Sequence, residues 1–349
     1  MDFYAGVDGS LETMNICVVD GDGNVGREAK LETHPDAIKL FLAEWGIRTK
    51  RVGIAAFSYS AWLFTALAEN GLAMICIENR HAKAALNAML NKTGRNDAEG
   101  VAQVMRAGWF HAVLGKSESA QTLRALLVGR RTMLGKVLEL ENMISGLLRP
   151  FGLKVSDISV GRFDARVRDL LAGKKDSEAI VPPLLDASNA MRLQLAKLHR
   201  VVLTAERRDS AVRRMTTAPG VGALVALTFR ATVDDPARFK KSTNVGARFG
   251  LTPRRYQSGQ TGRIGSISKC GDELTRAMLY EAAIALLTRI PKNFKLRLWG
   301  LRLARKKVLK RAATAVARAV AVLLHKIWTS GTTFRFGAGG KRGRVAAAA

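Results

Sequence analysis

The sequence predicts an α/β domain at the N-terminus, a helical segment in the middle and a mainly α-helical domain at the C-terminus. Short β-branched runs separated by polar turns open the chain, and strand and helix patterns then alternate. Two long stretches further on carry apolar residues at coiled-coil spacing. The predicted boundaries are 1–115, 116–208 and 209–336, followed by a basic tail, 337–349, that we expect to be disordered.

The first 115 residues predict a mixed sheet. Three β-branched runs are typical of an antiparallel meander, and the alternating helices and strands after them imply parallel pairing through crossovers. The predicted order is strands 4–8, 15–20 and 25–30, helix 35–45, strand 52–57, helix 61–69, strand 73–78 and helices 81–90 and 97–107. This is the element order of a ribonuclease H-like (RuvC-like) fold.

The middle segment predicts two long helices, each with a narrow apolar seam. Six of eight seam positions between 123 and 148 are apolar, as are six of seven between 184 and 205. Such seams occur both in the helices of one bundle and in an intermolecular coiled coil that forms a dimer. Both interpretations stay open at this stage.

The charge of the chain predicts a polyanionic partner. Lys and Arg number 56 against 29 Asp and Glu, a net charge of +27. Residues 240–349 hold 24 of the cations and three of the acids, a net charge of +21. A block of this size exceeds what solubility needs and favours phosphate binding, with nucleic acid as the first candidate.

Composition also excludes several classes of protein. Cys17, Cys76 and Cys270 are far apart, which excludes a disulfide framework and a thiolate zinc site and fits a reducing cytoplasm. The first residues do not form a secretory signal. No run of about 18 uncharged apolar residues is present, so we expect neither a transmembrane helix nor a membrane partner.

The C-terminal region carries two motifs suited to nucleic acid. The stretch TTAPGVGALVALTF (216–229) has the form of a helix-hairpin-helix element, in which Gly220 and Gly222 would let backbone N–H groups approach phosphate. A Gly/Ser-rich loop from about 249 follows, and then helices predicted at 293–311 and 312–328. The cations that we expect to contact nucleic acid are Arg254, Arg255, Arg263, Lys269, Lys306 and Lys307.

Two long segments carry a resemblance to a known family. GLTPRRYQSGQTGRIGSISKCGDELTR (250–276) and CIENRHAKAALNAMLNKTGRNDAEGVAQVMRAGWF (76–110) resemble the DEDD-type insertion-sequence transposases of the IS "one-ten" family, which are related to pilin-gene DNA invertases. TAPGVG (217–222) and the late basic helices also fit. The likeness therefore covers nearly the whole chain.

The resemblance implies two catalytic centres. One is a ribonuclease H-like domain whose four carboxylates bind divalent metal, Mg²⁺ by expectation, to activate a nucleophile and stabilise a leaving oxygen. The other is a serine that attacks DNA and forms a covalent phosphoserine link. The resemblance also implies DNA and a structured guide RNA as partners, and we expect a homo-oligomer, either a dimer or a tetramer.

Of the four positions at which the resemblance implies a metal-binding carboxylate, this sequence has an acid at two. The first falls on Asp8 and the fourth on Asp97, but Ala55 and Gly94 stand where the second and third acids are expected. Neither residue offers a side-chain oxygen, so two metal ions cannot be held in the family manner. Glu78 is the best substitute by position, whereas Asp20 and Glu99 should lie too far away or on another face.

The family serine falls on Ser258, where Gly259 supplies flexibility and nearby cations would stabilise phosphorane charge. Ser268 is a rival that we interpret as a helix N-cap or a phosphate contact. Tyr256, beside two arginines, should stack on a base or pack.

Two functional interpretations follow. The chain is a DNA transposase or site-specific recombinase, RNA-guided and catalytically impaired, or it is a non-catalytic DNA- or RNA-binding remnant or repurposed copy. A third interpretation, an RNA-processing nuclease, does not explain the serine loop.

Overall fold

The structure, a computed structural model, divides into two compact units, Met1–Lys116 and Ser117–Ala349. It describes residues 2–44, 46, 48–55, 57, 59–77, 93–110, 112–113, 115–155, 160–173, 179–258 and 261–336. The predicted helix 81–90, the candidate Glu78 and the tail 337–349 lie outside the described residues. The two long middle helices belong to the same unit as the C-terminal elements.

The first unit is built on one mixed sheet. Its strands are β1 (Phe3–Gly9), β2 (Thr13–Val19), β3 (Val25–Glu32), β4 (Thr49–Ala55), β5 (Met74–Ile77) and β6 (Ala112–Val113). They lie in the order β3-β2-β1-β4-β5-β6, in which β1 to β3 form an antiparallel meander and β4 and β5 add in parallel to β1. The helices are α1 (Pro35–Ala43), α2 (Ser60–Glu69) and α3 (Gly94–Ala107). The predicted mixed sheet is confirmed, and its order is compatible with a ribonuclease H-like fold.

Helix α3 lies unusually close to the sheet because two strand residues are glycines. A Cβ added at Gly6 of β1 would lie 2.2 Å from the carbonyl oxygen of Ala98, and one at Gly53 of β4 would lie 2.6 Å from Met105 Cγ. Glycine therefore permits the helix backbone to rest directly on β1. This contact fixes where the start of α3 lies relative to the end of β1.

The second unit is mostly helical, as predicted. Its helices are α4 (Glu118–Leu148), α5 (Phe163–Leu171), α6 (Val181–Arg208), α7 (Ser210–Met215), α8 (Ala223–Val233), α9 (Val245–Arg248), α10 (Glu273–Thr288), α11 (Lys295–Lys306) and α12 (Leu309–Ser330). The predicted boundary between the last two helices, at 311/312, was wrong. Helix α11 ends at Lys306, because Lys307 adopts an extended conformation (φ −140°, ψ 158°), and α12 begins at Leu309.

The segment predicted as a loop from about 249 is instead a two-stranded antiparallel hairpin, β7 (Pro253–Ser258) and β8 (Thr261–Ile267). Both faces of this hairpin are largely exposed. A strand that buries neither face has no need of alternating apolar residues, which is why the periodicity did not reveal it.

Helix α12 passes through the core of the second unit. It is long and apolar enough to cross a membrane by length and composition, yet half of that window is buried inside the unit. Its buried residues, including Val316, Val320 and Leu324, pack among those of α8 and α10. Arg318, which interrupts the apolar run, lies with its aliphatic stem over Gly246 of α9, where an added Cβ would be 2.7 Å from Arg318 Cγ.

The two seam helices pack against each other within one chain. Leu127 of α4 shares a core with Val202 of α6, whereas Ile144, near the other end of α4, shares a core with Leu185. The helices are therefore antiparallel. This arrangement is the one expected for two helices of one bundle.

Two of the three polar exceptions in the seams, Glu141 and Ser188, contact each other. Glu141 of α4 is 9% exposed, and its Oε1 accepts hydrogen bonds from Ser188 Oγ (3.2 Å) and Arg192 Nε (2.6 Å) of α6. Burying a carboxylate is tolerated only when it is paired and hydrogen-bonded. Because only one alignment of α4 and α6 brings these three residues together, the cluster fixes their register.

Arg192→Ala should destabilise the second unit by about 3 kcal/mol, since it leaves Glu141 buried without its cation. Urea unfolding followed by circular dichroism measures this loss. Lys136→Ala, which removes the exposed Lys136–Glu139 pair on the same helix, is the matched control and should leave the unfolding midpoint unchanged. An Arg192→Ala protein as stable as the control would contradict a register role for the cluster.

Candidate active site and nucleic-acid interface

The four family positions gather at one edge of the first unit's sheet. Asp8 lies near the carboxyl end of β1, and Ala55 follows Ile54, the β4 partner of Val7, so Ala55 lies level with Asp8. A Cβ added at Gly94, the first residue of α3, would lie 3.6 Å from Asp8 Oδ2. Asp97 follows one helical turn later, on the same face of α3 as position 94. An acid at position 94 would therefore adjoin the Asp8 carboxylate.

Asn15 lies at this edge and was missed by sequence reasoning. It pairs with Asp8 across β1 and β2, and its Nδ2 lies 2.5 Å from a Cβ added at Gly94. The Asn15 amide thus takes part of the space that a side chain at position 94 would need. The signal that could have found it is the antiparallel register of the first two strands.

Asp20 and Glu99, which the sequence analysis rejected as replacements for the two missing acids, interact with other parts of the first unit. Hydrogen bonds from the backbone N–H groups of Asn24, Gly23 and Asp22 hold the pKa of Asp20 below its usual value, and Asp20 follows β2 at the end opposite Asn15. Glu99 lies close enough to Cys17 to affect its thiol. Burial is the main cause that raises the pKa of the Cys17 thiol to about 12, and the negative charges of Glu99 and Glu28 raise it further.

The donors at this edge do not fit a pair of hard cations. Two divalent ions need several oxygen ligands, and Asp8 and Asp97 are the carboxylates that the four positions retain. Among the described residues, no group of three or more His, Cys, Asp and Glu side chains could hold a metal ion. The residues at this edge therefore do not support a catalytic step that depends on two bound metal ions.

Restoring the two acids should restore metal binding. We expect Ala55→Glu combined with Gly94→Asp to bind Mn²⁺ measurably in titration calorimetry, because four carboxylates would then converge. Adding Asn15→Ser should tighten binding further by freeing the space beside position 94. The unmodified chain is the baseline and should bind Mn²⁺ at least about tenfold more weakly. Equal binding by the unmodified chain, lost on Asp8→Ala, would contradict this assessment of the site.

The hairpin holds the predicted serine and three of the predicted arginines. Ser258 is the last residue of β7 and pairs with Thr261, Tyr256 pairs with Arg263, and Arg255 pairs with Ile264. Because strand residues alternate between faces, positions 256, 258, 261 and 263 share one face, and position 255 lies on the other. An open cavity of about 590 Å³ adjoins the hairpin and is lined by residues 255–257 and 261–263.

A rigid base supports the hairpin. Arg254 Nη2 donates to Ser268 O at 3.2 Å, and Arg276 Nη1 donates to the carbonyl oxygens of Phe249 (3.3 Å) and Cys270 (3.2 Å). Lys269 adopts φ +54°, a conformation that non-glycine residues rarely take. Lys269 therefore lies in a turn just after the C-terminal end of β8.

Ser268 is not the N-cap of α10, contrary to one of the two roles predicted for it. Asp272 is the N-cap: its Oδ1 accepts hydrogen bonds from Thr275 N (2.7 Å) and Thr275 Oγ1 (2.8 Å). Asp272 also forms an ion pair with Arg124 of α4. A carboxylate at this position interacts favourably with the helix dipole as well as with Arg124.

The two glycines of the Pro-Gly-x-Gly turn have different surroundings. Gly220, at φ +81°, faces α10, and an added Cβ would lie 2.5 Å from Ala282 O. Gly222 is the N-cap of α8 and has nothing within 4 Å of an added Cβ. Gly220 is therefore needed for packing, and the open backbone that could approach phosphate is at Gly222.

The junction of α11 and α12 carries a dense group of exposed cations. All seven residues from Arg305 to Arg311 are exposed. Among the described residues, no ion pair joins the cations of this junction to an acid. The members of this group, the junction cations, are Arg305, Lys306, Lys307, Lys310 and Arg311.

Comparisons with known proteins match both units. The family model of DEDD transposases of the IS110 group matches residues 5–151, and the model described as "Transposase IS116/IS110/IS902 family" matches residues 212–298. The chain is 30% identical over 256 residues to a transposase for insertion sequence element IS1111A of Coxiella burnetii, covering 71% of this chain and 70% of that one. It is 26% identical over 254 residues to a transposase for IS1328 of Yersinia enterocolitica, covering 70% and 74%.

Proposed function

Because the chain belongs to the IS110 family of insertion-sequence transposases, we propose that it binds DNA through its second unit and that its metal-assisted chemistry is impaired. The observation that carries the proposal is the contrast between the two sites. Gly94 and Ala55 leave the carboxylate edge without two of its acids, while the hairpin and the junction cations are intact and exposed.

The distribution of charge supports this division of roles. Residues 1–116 carry 12 Lys and Arg against 13 Asp and Glu, a net charge of −1, and residues 117–349 therefore carry +28. Phosphate binding by a surface of this charge releases counterions and gives strong, salt-sensitive affinity. The second unit is thus the part that binds the DNA backbone.

The hairpin supports a role for Ser258 as nucleophile. The Ser258 hydroxyl would lose its proton as its oxygen bonds to a phosphorus atom, and the displaced deoxyribose oxygen would take up a proton and leave as a hydroxyl. One phosphodiester is thereby exchanged for another, in which serine replaces the deoxyribose, without an external energy source. Arg263 shares the face of position 258 and would stabilise the added negative charge. Arg255, on the opposite face, would contribute to DNA binding alone.

Two further partners belong to this proposal. A structured guide RNA would present the same phosphate chemistry to the cationic surface as DNA does. A homo-oligomer is supported by exposed apolar residues on the outward sides of α4 and α6, among them Leu138, Met143 and Leu193. A cytoplasmic location, where the DNA lies, fits this activity.

A non-catalytic, nucleic-acid-binding copy is the second candidate function, favoured by the loss of the acids at positions 55 and 94. A strand-exchange assay with matched donor DNA, target DNA and element RNA distinguishes the two candidates. We expect little or no exchange by the unmodified chain and partial recovery when Ala55→Glu and Gly94→Asp are combined. Efficient exchange by the unmodified chain would refute the proposed impairment.

The nucleophile is tested in the chain restored at positions 55 and 94. Ser258→Ala should abolish the covalent protein–DNA adduct on a denaturing gel, and Ser268→Ala is the matched control that should retain it. Arg263→Gln should lower adduct yield more than it weakens binding, whereas Arg255→Gln should do the reverse. An adduct that survives Ser258→Ala and disappears with Ser268→Ala would assign the chemistry to Ser268.

Neutralising four of the five junction cations should weaken DNA binding and flatten its salt dependence. For the four substitutions Lys306→Gln, Lys307→Gln, Lys310→Gln and Arg311→Gln together, we expect the slope of log K against log salt concentration to fall by about 2 to 4. Fluorescence anisotropy with duplex DNA measures this slope.

The matched control removes four cations from the first unit, where we expect no contribution to the slope. Its substitutions are Lys30→Gln, Lys39→Gln, Arg48→Gln and Lys50→Gln. An equal change of slope in both proteins would show that net charge alone, and not the junction, determines binding.

A further inference from the structure

Three aromatic side chains form an exposed row on the first unit. The ring of Trp62 lies edge-on to the rings of His34 (centroids 5.8 Å apart) and Tyr59 (6.1 Å apart). Trp62 is 46% exposed and Tyr59 is 44% exposed. Large aromatic residues usually bury most of their surface, so a row of three that contact one another in solvent needs an explanation. We call these residues the aromatic row.

The aromatic row lies at the same edge of the sheet as Asp8. Strand β3 runs in the direction of β1, because both are antiparallel to β2, and β4 is parallel to β1. His34 follows the carboxyl end of β3, and Tyr59 follows that of β4. Phe57, also after β4, packs its ring on Gly9, beside Asp8, since an added Cβ there would lie 2.4 Å from Phe57 Cζ. Phe57 thus connects the row to the carboxyl end of β1 on the face of the sheet that packs against α1 and α2, whereas α3 and position 94 lie on the opposite face of the same end.

Local contacts hold the row in place. His34 caps α1, with its Nδ1 accepting from the backbone N–H of Asp36 at 3.3 Å. The turn before it is tied to the β1–β2 turn, because Thr33 Oγ1 donates to Ser10 O at 3.2 Å. Trp62 and Tyr59 are carried by the first turn of α2 and its N-cap. A surface that is already ordered loses little entropy when a ligand stacks on it.

The chemistry of the row suits an unpaired base. Aromatic faces stack on any nucleobase, and this interaction needs no cation. The first unit, with a net charge of −1, has no charge excess with which to hold a phosphate backbone. Three side chains also provide far less than the area of about 800 Å² per partner that a stable protein interface buries. An unpaired nucleotide therefore fits the row better than a second protein surface does.

We propose that His34, Tyr59 and Trp62 form a stacking platform for an unpaired nucleotide of the DNA substrate at the carboxylate edge of the first unit. The proposal rests on the proposed DNA binding by the second unit, which supplies the electrostatic affinity. The platform then selects strands that are already unpaired, because a base inside a duplex cannot present its face to an aromatic ring.

Photocrosslinking of the full-length chain tests the platform. The probe is a branched DNA with one single-stranded arm that carries 5-iododeoxyuridine, which crosslinks on irradiation to aromatic side chains in contact with it. Trypsin releases residues 52–80, which include Tyr59 and Trp62, as one peptide, and residues 107–116, which include Trp109, as another. We expect the adduct on peptide 52–80. Trp109, at 86% exposure and outside the row, is the internal control.

Variants locate the contact. Tyr59→Leu with Trp62→Leu should lower the adduct yield at least about fivefold, whereas Tyr59→Phe with Trp62→Phe should retain it, because only the second pair keeps the ring faces. Both pairs alter exposed side chains, and anisotropy with the same probe verifies that DNA is still bound. Trp109→Leu should leave the yield unchanged.

The outcomes separate this proposal from the proposed function. Normal binding without an adduct on peptide 52–80, or with equal adduct on peptide 107–116, overturns the platform and leaves DNA binding by the second unit intact. A loss of self-association in the leucine variants, with unchanged adduct, assigns the row to a protein interface and also overturns the platform. Absence of any DNA binding overturns both proposals.

Discussion

The close approach of α3 to β1 is the constraint on which the N-terminal site depends. Gly6 lets the helix backbone rest on the strand, and this places the first turn of α3 beside Asp8 and the end of β4. Positions 8 and 55, which are distant in sequence, thereby lie beside positions 94 and 97 at one edge of the sheet. The geometry is set by backbone packing, so it persists whether or not the positions carry acids. The backbone arrangement of these positions is consequently independent of their side chains, and under the proposed assignment this chain keeps the arrangement with two of the four carboxylates, Asp8 and Asp97.

The carboxylate positions and the proposed DNA-binding surface also lie in different units. The second unit has a net charge of +28 and holds the junction cations and the arginines of the hairpin. The core of this unit does not use the junction cations, because α12 and its neighbours bury apolar residues, and the register of α4 and α6 is fixed by Glu141, Ser188 and Arg192. The cations repel one another in the free protein, and a polyanion relieves that repulsion. The proposed nucleic-acid ligand therefore accounts for a charge that the apolar core of this unit does not require.

Sequence patterns predicted the elements that bury one face and failed for those that do not. The strands of the first sheet and the seam helices were found because core burial imposes a period on their residues. The hairpin of Arg254, Tyr256 and Arg263 lies in solvent on both faces, so no period marks it. The break at Lys307 lacks proline or glycine. Asn15 lies at the site because it pairs with Asp8 across β1 and β2. That pairing depends on the register of the two strands, which the sequence analysis did not determine.

The substitutions at positions 55 and 94 are consistent with a chain whose fold is maintained without catalysis at the carboxylate edge. Thr93 still caps α3, accepting from Asn96 N at 3.1 Å, and Ala55 still closes β4 against Ile77. Neither substitution leaves a buried charge or an unpaired buried donor, because glycine and alanine add no polar atom. Removing two like-charged acids from the neighbourhood of Asp8 relieves repulsion that, in the family arrangement, metal ions would neutralise. Under the proposed function, the absence of acids at positions 55 and 94 therefore carries no structural penalty, and the proposed DNA binding by the second unit does not depend on them.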